Sequence, residues 1–171
     1  MNAPTNAHLV LTGPMGSGKT TVGRLVAARL GRDFDDSDEW IDAKTGRSGA
    51  DIARSAGVAH LHRLEAEHAM RALEAEVPAV VAMAAAAVDD PAVRRALRSA
   101  VVVVLVAPAG TLAARTAPSA HRRALGPDPA KATEALVARR RPLGEEVASG
   151  FVSTDGAIEA AVAEVLDIAG E

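Results

Sequence analysis

The segment Gly13-Pro14-Met15-Gly16-Ser17-Gly18-Lys19-Thr20 constrains this chain more than any other. It satisfies G-x-x-x-x-G-K-[ST] at every fixed position, a pattern that needs a strand before it and a helix after it. Both are predicted: Leu9-Val10-Leu11 reads as a short buried strand, and Thr20 to Leu30 as a helix. Glycines at 13, 16 and 18 let the backbone curl so that successive N–H groups converge on phosphate oxygens. The helix N-terminus adds partial positive charge. Lys19 can then reach the β- and γ-phosphates, and the Thr20 hydroxyl can ligate magnesium. The loop therefore predicts a bound nucleoside triphosphate, held by Gly13, Gly16, Ser17, Gly18, Lys19, Thr20 and Thr21.

Composition removes several alternatives. The 171 residues suit one domain with one substantial core. That core must be built from Ala, Val and Leu, because the chain holds one Trp, two Phe and no Tyr. The same scarcity removes the stacking platforms that hold single-stranded nucleic acid. A net charge of −3 gives no general attraction for nucleic acid or an anionic membrane. Without cysteine there is no disulfide, thiolate zinc site or cysteine nucleophile. The longest apolar runs, Val77 to Val88 and Ala100 to Pro108, are too short to span a bilayer. Met1 to Ala7 lacks the pattern of a secretion signal, so a soluble cytoplasmic protein is expected.

Strands and helices are predicted to alternate. Arg32 to Asp35 reads as a second strand opening into the acidic cluster Asp35-Asp36-Ser37-Asp38. Short helices follow at Glu39 to Lys44 and Ala50 to Ser55, stopped by Gly46 and Gly57. Val58 to Glu76 contains no Gly or Pro, and Leu61, Leu64, Ala69, Leu73 and Val77 recur at helical spacing. Val80 to Met83 predicts a third strand, buried on both faces as parallel strands are. Asp90-Pro91 opens a helix to Arg98, Val101 to Val106 is a fourth strand, and Thr111 to Thr116 is a short helix. Ala117 to Pro129 reads as a mobile basic loop, and Ala130 to Arg141 as a helix ending at Pro142. Phe151 to Ser153 is a short fifth strand. Asp155 is expected to cap a last helix that turns Ile158, Val162, Val165, Leu166 and Ile168 inward. The pattern implies a parallel sheet covered on both faces, with ligands at the carboxyl ends of its strands.

These landmarks, taken together, resemble the shikimate kinases, a small branch of the P-loop kinases. The resemblance runs from about Leu9 to Ala169. It is carried by Gly13 to Thr20, Leu30-Gly31, Asp36-Ser37-Asp38, Thr45-Gly46-Arg47-Ser48, Gly57, Leu64-Glu65, Arg115, Arg122, and Arg140 before Pro142-Leu143. It implies a three-layer α/β/α fold on a five-stranded parallel sheet in order 2-3-1-4-5. It also implies an acceptor subdomain over 36–65 and a lid over 117–129. ATP and Mg2+ are the implied cofactors, with a small hydroxylated, carboxylate-bearing acceptor and a monomeric enzyme. By the resemblance, Asp36 stands near the magnesium with Thr20 and accepts the proton of the attacking hydroxyl. Asp38 binds acceptor hydroxyls, and Arg122 neutralises charge on the transferring phosphoryl group. Arg140 grips the acceptor carboxylate, Ala85 lies in the acceptor loop, and Arg115 lines the nucleotide site. The bland readings are a solvated acidic cap for Asp36, and a cation complementing a helix C-terminus for Arg140.

Two departures bear on the acceptor. The family arginine that forks the carboxylate falls at His62, which cannot make a bidentate pair. The family's triple glycine falls at Ala84-Ala85-Ala86, where a positive φ would cost about 1–2 kcal/mol per alanine. The simplest escape from that strain is a changed loop path, so both departures favour a reshaped site, and with it another cyclitol or sugar acid over shikimate. Gly144 replaces a usual aromatic, and Arg123 a usual lid proline. The alternative class is a nucleotide-binding relative without catalysis, serving a regulatory or interaction role. No N-K-x-D motif supports a GTPase. His60, His62 and His68 share a helix without forming a good pair of metal ligands, and read as surface histidines.

Overall fold

Apolar strands set the frame. Leu9–Thr12 (β1), Phe34–Asp36 (β2), Val80–Ala82 (β3), Val101–Val106 (β4) and Gly150–Ser153 (β5) form one sheet. All its pairings are parallel and its order is 2-3-1-4-5, as the resemblance implied. The computed structural model describes residues 6–116 and 128–171. Within them the helices are Lys19–Leu30 (α1), Ser37–Thr45 (α2), Gly49–Ser55 (α3), Val58–Leu73 (α4), Pro91–Ala96 (α5), Ala109–Arg115 (α6), Pro129–Val147 (α7) and Ile158–Ala169 (α8). Short 3-10 turns cover Ala85–Asp89 and Leu97–Ser99.

Alternation along the strands builds two cores. Leu9 and Leu11 of β1, with Val103, Leu105 and Val152, meet Val22 and Val26 of α1 and Val162 and Val165 of α8. On the other face Val10, Val81 and Val102 meet Ala69 and Ala72 of α4 and Val93 of α5. A small separate cluster joins Ile41, Ile52 and Leu64, flanked by Trp40 and Leu61, and ties α2, α3 and α4 together.

Several boundaries differ from the sequence reading. α4 stops at Leu73 rather than Glu76, and Val77 is 69% exposed instead of continuing the apolar stripe. Pro78 accounts for this, since the residue before a proline is pushed out of the helical region. α7 does not end at Pro142 but runs through it to Val147. The proline removes one bond, to Ala138 on an exposed stretch, while Leu143 and Val147 beyond it pack on the second core. Asp155 does not cap α8: it accepts a hydrogen bond from Thr111 Oγ1 at 2.7 Å, and Ala157 precedes the helix without a side-chain cap. His68 is fully buried rather than on the surface. Its Nε2 donates to Asp35 Oδ1 at 3.1 Å, and Arg71 pairs with the other carboxylate oxygen.

The register makes the strand ends level where chemistry is expected. Leu11 of β1 and Asp36 of β2 both pair with Ala82 of β3. The glycine-rich loop, the acidic turn and the alanine turn thus leave three neighbouring strands at one height.

Candidate active site

The loop after β1 takes a course open to glycine. Gly13, Gly16 and Gly18 have φ of 144°, 83° and 92°. A Cβ on Gly13 would lie 2.3 Å from the Leu105 carbonyl oxygen, so loop and β4 meet backbone to backbone. Ser17 N–H closes the turn on Pro14 O at 3.1 Å, and Val22 N–H on Gly18 O begins α1. Lys19 folds over this loop, donating to Gly13 O at 2.8 Å and Pro14 O at 3.2 Å. Burial pushes the Lys19 ammonium below the usual lysine range; Asp38, Asp36 and Glu65 pull it back without cancelling the shift. A phosphate chain would supply the anionic partner that burial withholds. Ser17 Oγ is buried with no hydrogen-bond partner among the described residues, and Thr21 is exposed on the first turn of α1.

Asp36 joins this loop to β2. It is buried, at 5% exposure, rather than solvated. Its Oδ1 caps α2, accepting from Asp38 N–H at 2.9 Å and Glu39 N–H at 3.4 Å. Its Oδ2 accepts from Thr20 Oγ1 at 2.8 Å. The cap and the Thr20 contact thus fall on different oxygens of one carboxylate. A hydroxyl and a carboxylate oxygen side by side are the hard donors that magnesium takes alongside phosphate oxygens and water. No group of three or more His, Cys, Asp or Glu capable of holding a metal occurs among the described residues.

The residues expected on the acceptor side come from four elements. Asp38 is exposed on the first turn of α2. His62 and Glu65 are half-buried one turn apart on α4. Ala85 opens the 3-10 turn after β3, half-buried. The alanine turn follows a path free of positive-φ strain: Ala84 sits at φ −60°, ψ 139°, and no described non-glycine residue has positive φ. Arg140 forks Asp89, which closes that same turn: Nε donates to Oδ1 at 3.3 Å and Nη2 to Oδ2 at 3.0 Å. Arg139 joins the same carboxylate, and Arg141 pairs with Glu145. Because α7 continues to Val147, these arginines do not serve its C-terminus.

Arg115 bridges the nucleotide loop to β5. It donates from Nη1 to Gly16 O at 3.3 Å and from Nη2 to Thr154 O at 2.7 Å. Arg122 and Arg123 lie outside the described residues, as does most of the lid expected over 117–129; Asp128 caps α7 and Pro129 begins it. Sequence reasoning missed Asp89, whose neighbour Asp90 carried the visible capping signal, and the Asp35–His68 pair.

Comparisons with known proteins agree with this geometry. The shikimate kinase family model matches residues 15–169. Shikimate kinase of Symbiobacterium thermophilum is 41% identical over 165 residues, covering 94% of each chain. Shikimate kinase of Streptomyces coelicolor is 40% identical over 156 residues, covering 91% of this chain and 89% of its own. The solved structure of shikimate kinase from Acinetobacter baumannii in complex with shikimate superposes with a TM-score of 0.85 at 32% identity, covering 95% of this chain and 90% of that one. Strand order, loop and acidic turn converge with these matches, and the chain belongs to the shikimate kinase family.

Proposed function

We propose that this chain transfers the γ-phosphoryl group of ATP to a hydroxyl of shikimate. One observation carries the reading: Thr20 Oγ1 meets Asp36 Oδ2 at 2.8 Å, level with the Lys19 loop and beside the turn that carries Ala85. Bound magnesium would neutralise charge on the β- and γ-phosphates there. The loop N–H groups and Lys19 hold the polyphosphate, and Arg115 braces the loop from behind. Asp36 Oδ2 positions the acceptor hydroxyl and takes its proton, while Oδ1 keeps α2 capped. Asp38 orients acceptor hydroxyls, Arg140 binds the carboxylate, and Arg122, outside the described residues, would neutralise charge on the transferring group.

The region 36–65 serves as the acceptor subdomain, supported by its own small cluster around Ile41, Ile52 and Leu64. Shikimate kinases about 40% identical over most of the chain favour shikimate over a more distant acceptor. His62 makes that acceptor bind more weakly than an arginine would. The enzyme works as a cytoplasmic monomer on two small molecules, with no nucleic acid or membrane involved. ADP release with magnesium and ATP, measured alone and then with shikimate and a panel of cyclitols and sugar acids, tests the reading. Shikimate-stimulated turnover is expected. Tight ATP binding that no acceptor converts into turnover would leave the non-catalytic alternative instead.

A further inference from the structure

Asp89 closes the turn after β3, and neither the nucleotide loop nor the acidic turn uses it. Its carboxylate holds Arg140 side-on, through Nε and Nη2, while Oδ2 also accepts from Arg139 Nη2 at 3.1 Å. A guanidinium has five N–H donors in a rigid plane. The side-on fork occupies one edge and leaves the end-on edge, Nη1 with the outer Nη2 hydrogen, outside Asp89's grip.

The two partners differ in freedom. Asp89 is fixed through its backbone: Arg94 Nη1 donates to Asp89 O at 3.3 Å and to Val88 O at 2.7 Å, and Asp90 N–H donates to Ala87 O at 3.1 Å. Ala87 and Val88 are themselves core residues. Arg140 reaches Asp89 on a long, rotatable stem. The anchored carboxylate therefore sets the plane of the guanidinium. Two arginines on one carboxylate also leave a net positive unit, so the pairing orients Arg140 without erasing its attraction for an anion.

We infer that Asp89 is a positioning residue for acceptor recognition: it locks one edge of Arg140 so that the other is presented to the acceptor carboxylate. The inference rests on the reading of Arg140 as the acceptor arginine. With His62 unable to fork a carboxylate, the orientation of Arg140 carries more of the recognition.

Steady-state kinetics on Asp89→Ala, Asp89→Asn, Arg140→Ala and the Asp89→Ala/Arg140→Ala double variant test it. Asp89→Ala is expected to raise the shikimate KM about tenfold, the loss of one charge-assisted interaction. The ATP KM and kcat should stay within about twofold. Asp89→Asn should fall between wild type and Asp89→Ala, and it keeps the test open if the alanine variant folds poorly. Added to Arg140→Ala, Asp89→Ala should have no further effect on shikimate. A shikimate KM that is unchanged or lowered in both Asp89 variants would overturn the inference, as would a full effect persisting without Arg140. If Arg140→Ala alone leaves the shikimate KM unchanged, the acceptor reading fails as well, and that single variant identifies the failure.

Discussion

On the proposed reading Asp36 carries a structural and a chemical duty on separate oxygens, so two substitutions can pull the duties apart. Asp36→Asn keeps an oxygen for the N–H groups of Asp38 and Glu39 and offers an amide to Thr20, whereas Asp36→Ala keeps neither. Losing an N-cap to alanine costs about 0.5–2 kcal/mol, while asparagine caps as well as aspartate does. At roughly 2–4 °C per kcal/mol for a domain of this size, Asp36→Ala should lower Tm by about 1–8 °C. Asp36→Asn should stay near wild type. Both remove the proton acceptor and the anionic metal ligand, so kcat should fall about 10²–10⁴-fold in each. That is about 3–5 kcal/mol at the barrier, more than the stability change can explain. Thermal melts paired with ADP-release kinetics read both quantities. An asparagine variant that melts like the alanine one, or that keeps more than about a tenth of wild-type turnover, would refute the division of labour.

Other substitutions test neighbouring parts of the site. His62→Arg should restore one charge-assisted fork and lower the shikimate KM about 10- to 100-fold with ATP affinity unchanged, as kinetics in both substrates will show. At Asp35, partial burial works to raise the pKa, but hydrogen bonding and charge from His68 and Arg71 outweigh it and hold the carboxyl below its ordinary range. A depressed folded pKa adds stability above the unfolded value and loses it as pH falls through the folded one. Wild type should therefore lose Tm from about pH 4 downward more steeply than Asp35→Asn, followed by melts across that range. Gly13→Ala would drive a Cβ to 2.3 Å from the Leu105 carbonyl oxygen, so both Tm and ATP affinity should fall in melts and nucleotide titrations.

Much of the fold was legible because its signals are local. Continuous Val and Leu at 101 to 106 could only be a strand buried on both faces, and Gly46 does end α2, at φ 66°. The glycine-rich loop was legible for the same reason: it, its strand and its helix are contiguous, whereas Asp36 was singled out by the resemblance and proves to end β2 and cap α2. Pro142 misled because local propensity argues for a stop there, whereas two residues beyond it, Leu143 and Val147, gain burial against the second core. Asp155 misled similarly, offering a cap that tertiary contact with Thr111 claims instead.

The tertiary pairings were harder to read because they join distant segments. Asp89 and Arg140 stand 51 positions apart, and Asp35 and His68 stand 33 apart. No periodicity links such residues; only the placement of α7 and α4 beside the turns after β3 and β2 does. At the triple alanine a local rule did apply: alanine disfavours positive φ, and the chain takes a path that avoids it. Glycine matters where φ is positive, and at Gly13, Gly16 and Gly18 it is. After β3 the chain enters a 3-10 turn from φ −60°, where alanine is at ease. The exchange of glycine for alanine therefore does not disable the acceptor side by strain. On the proposed reading, charge and orientation would set its affinity: a histidine where a fork is lost, and one arginine whose edge is already held by an anchored carboxylate.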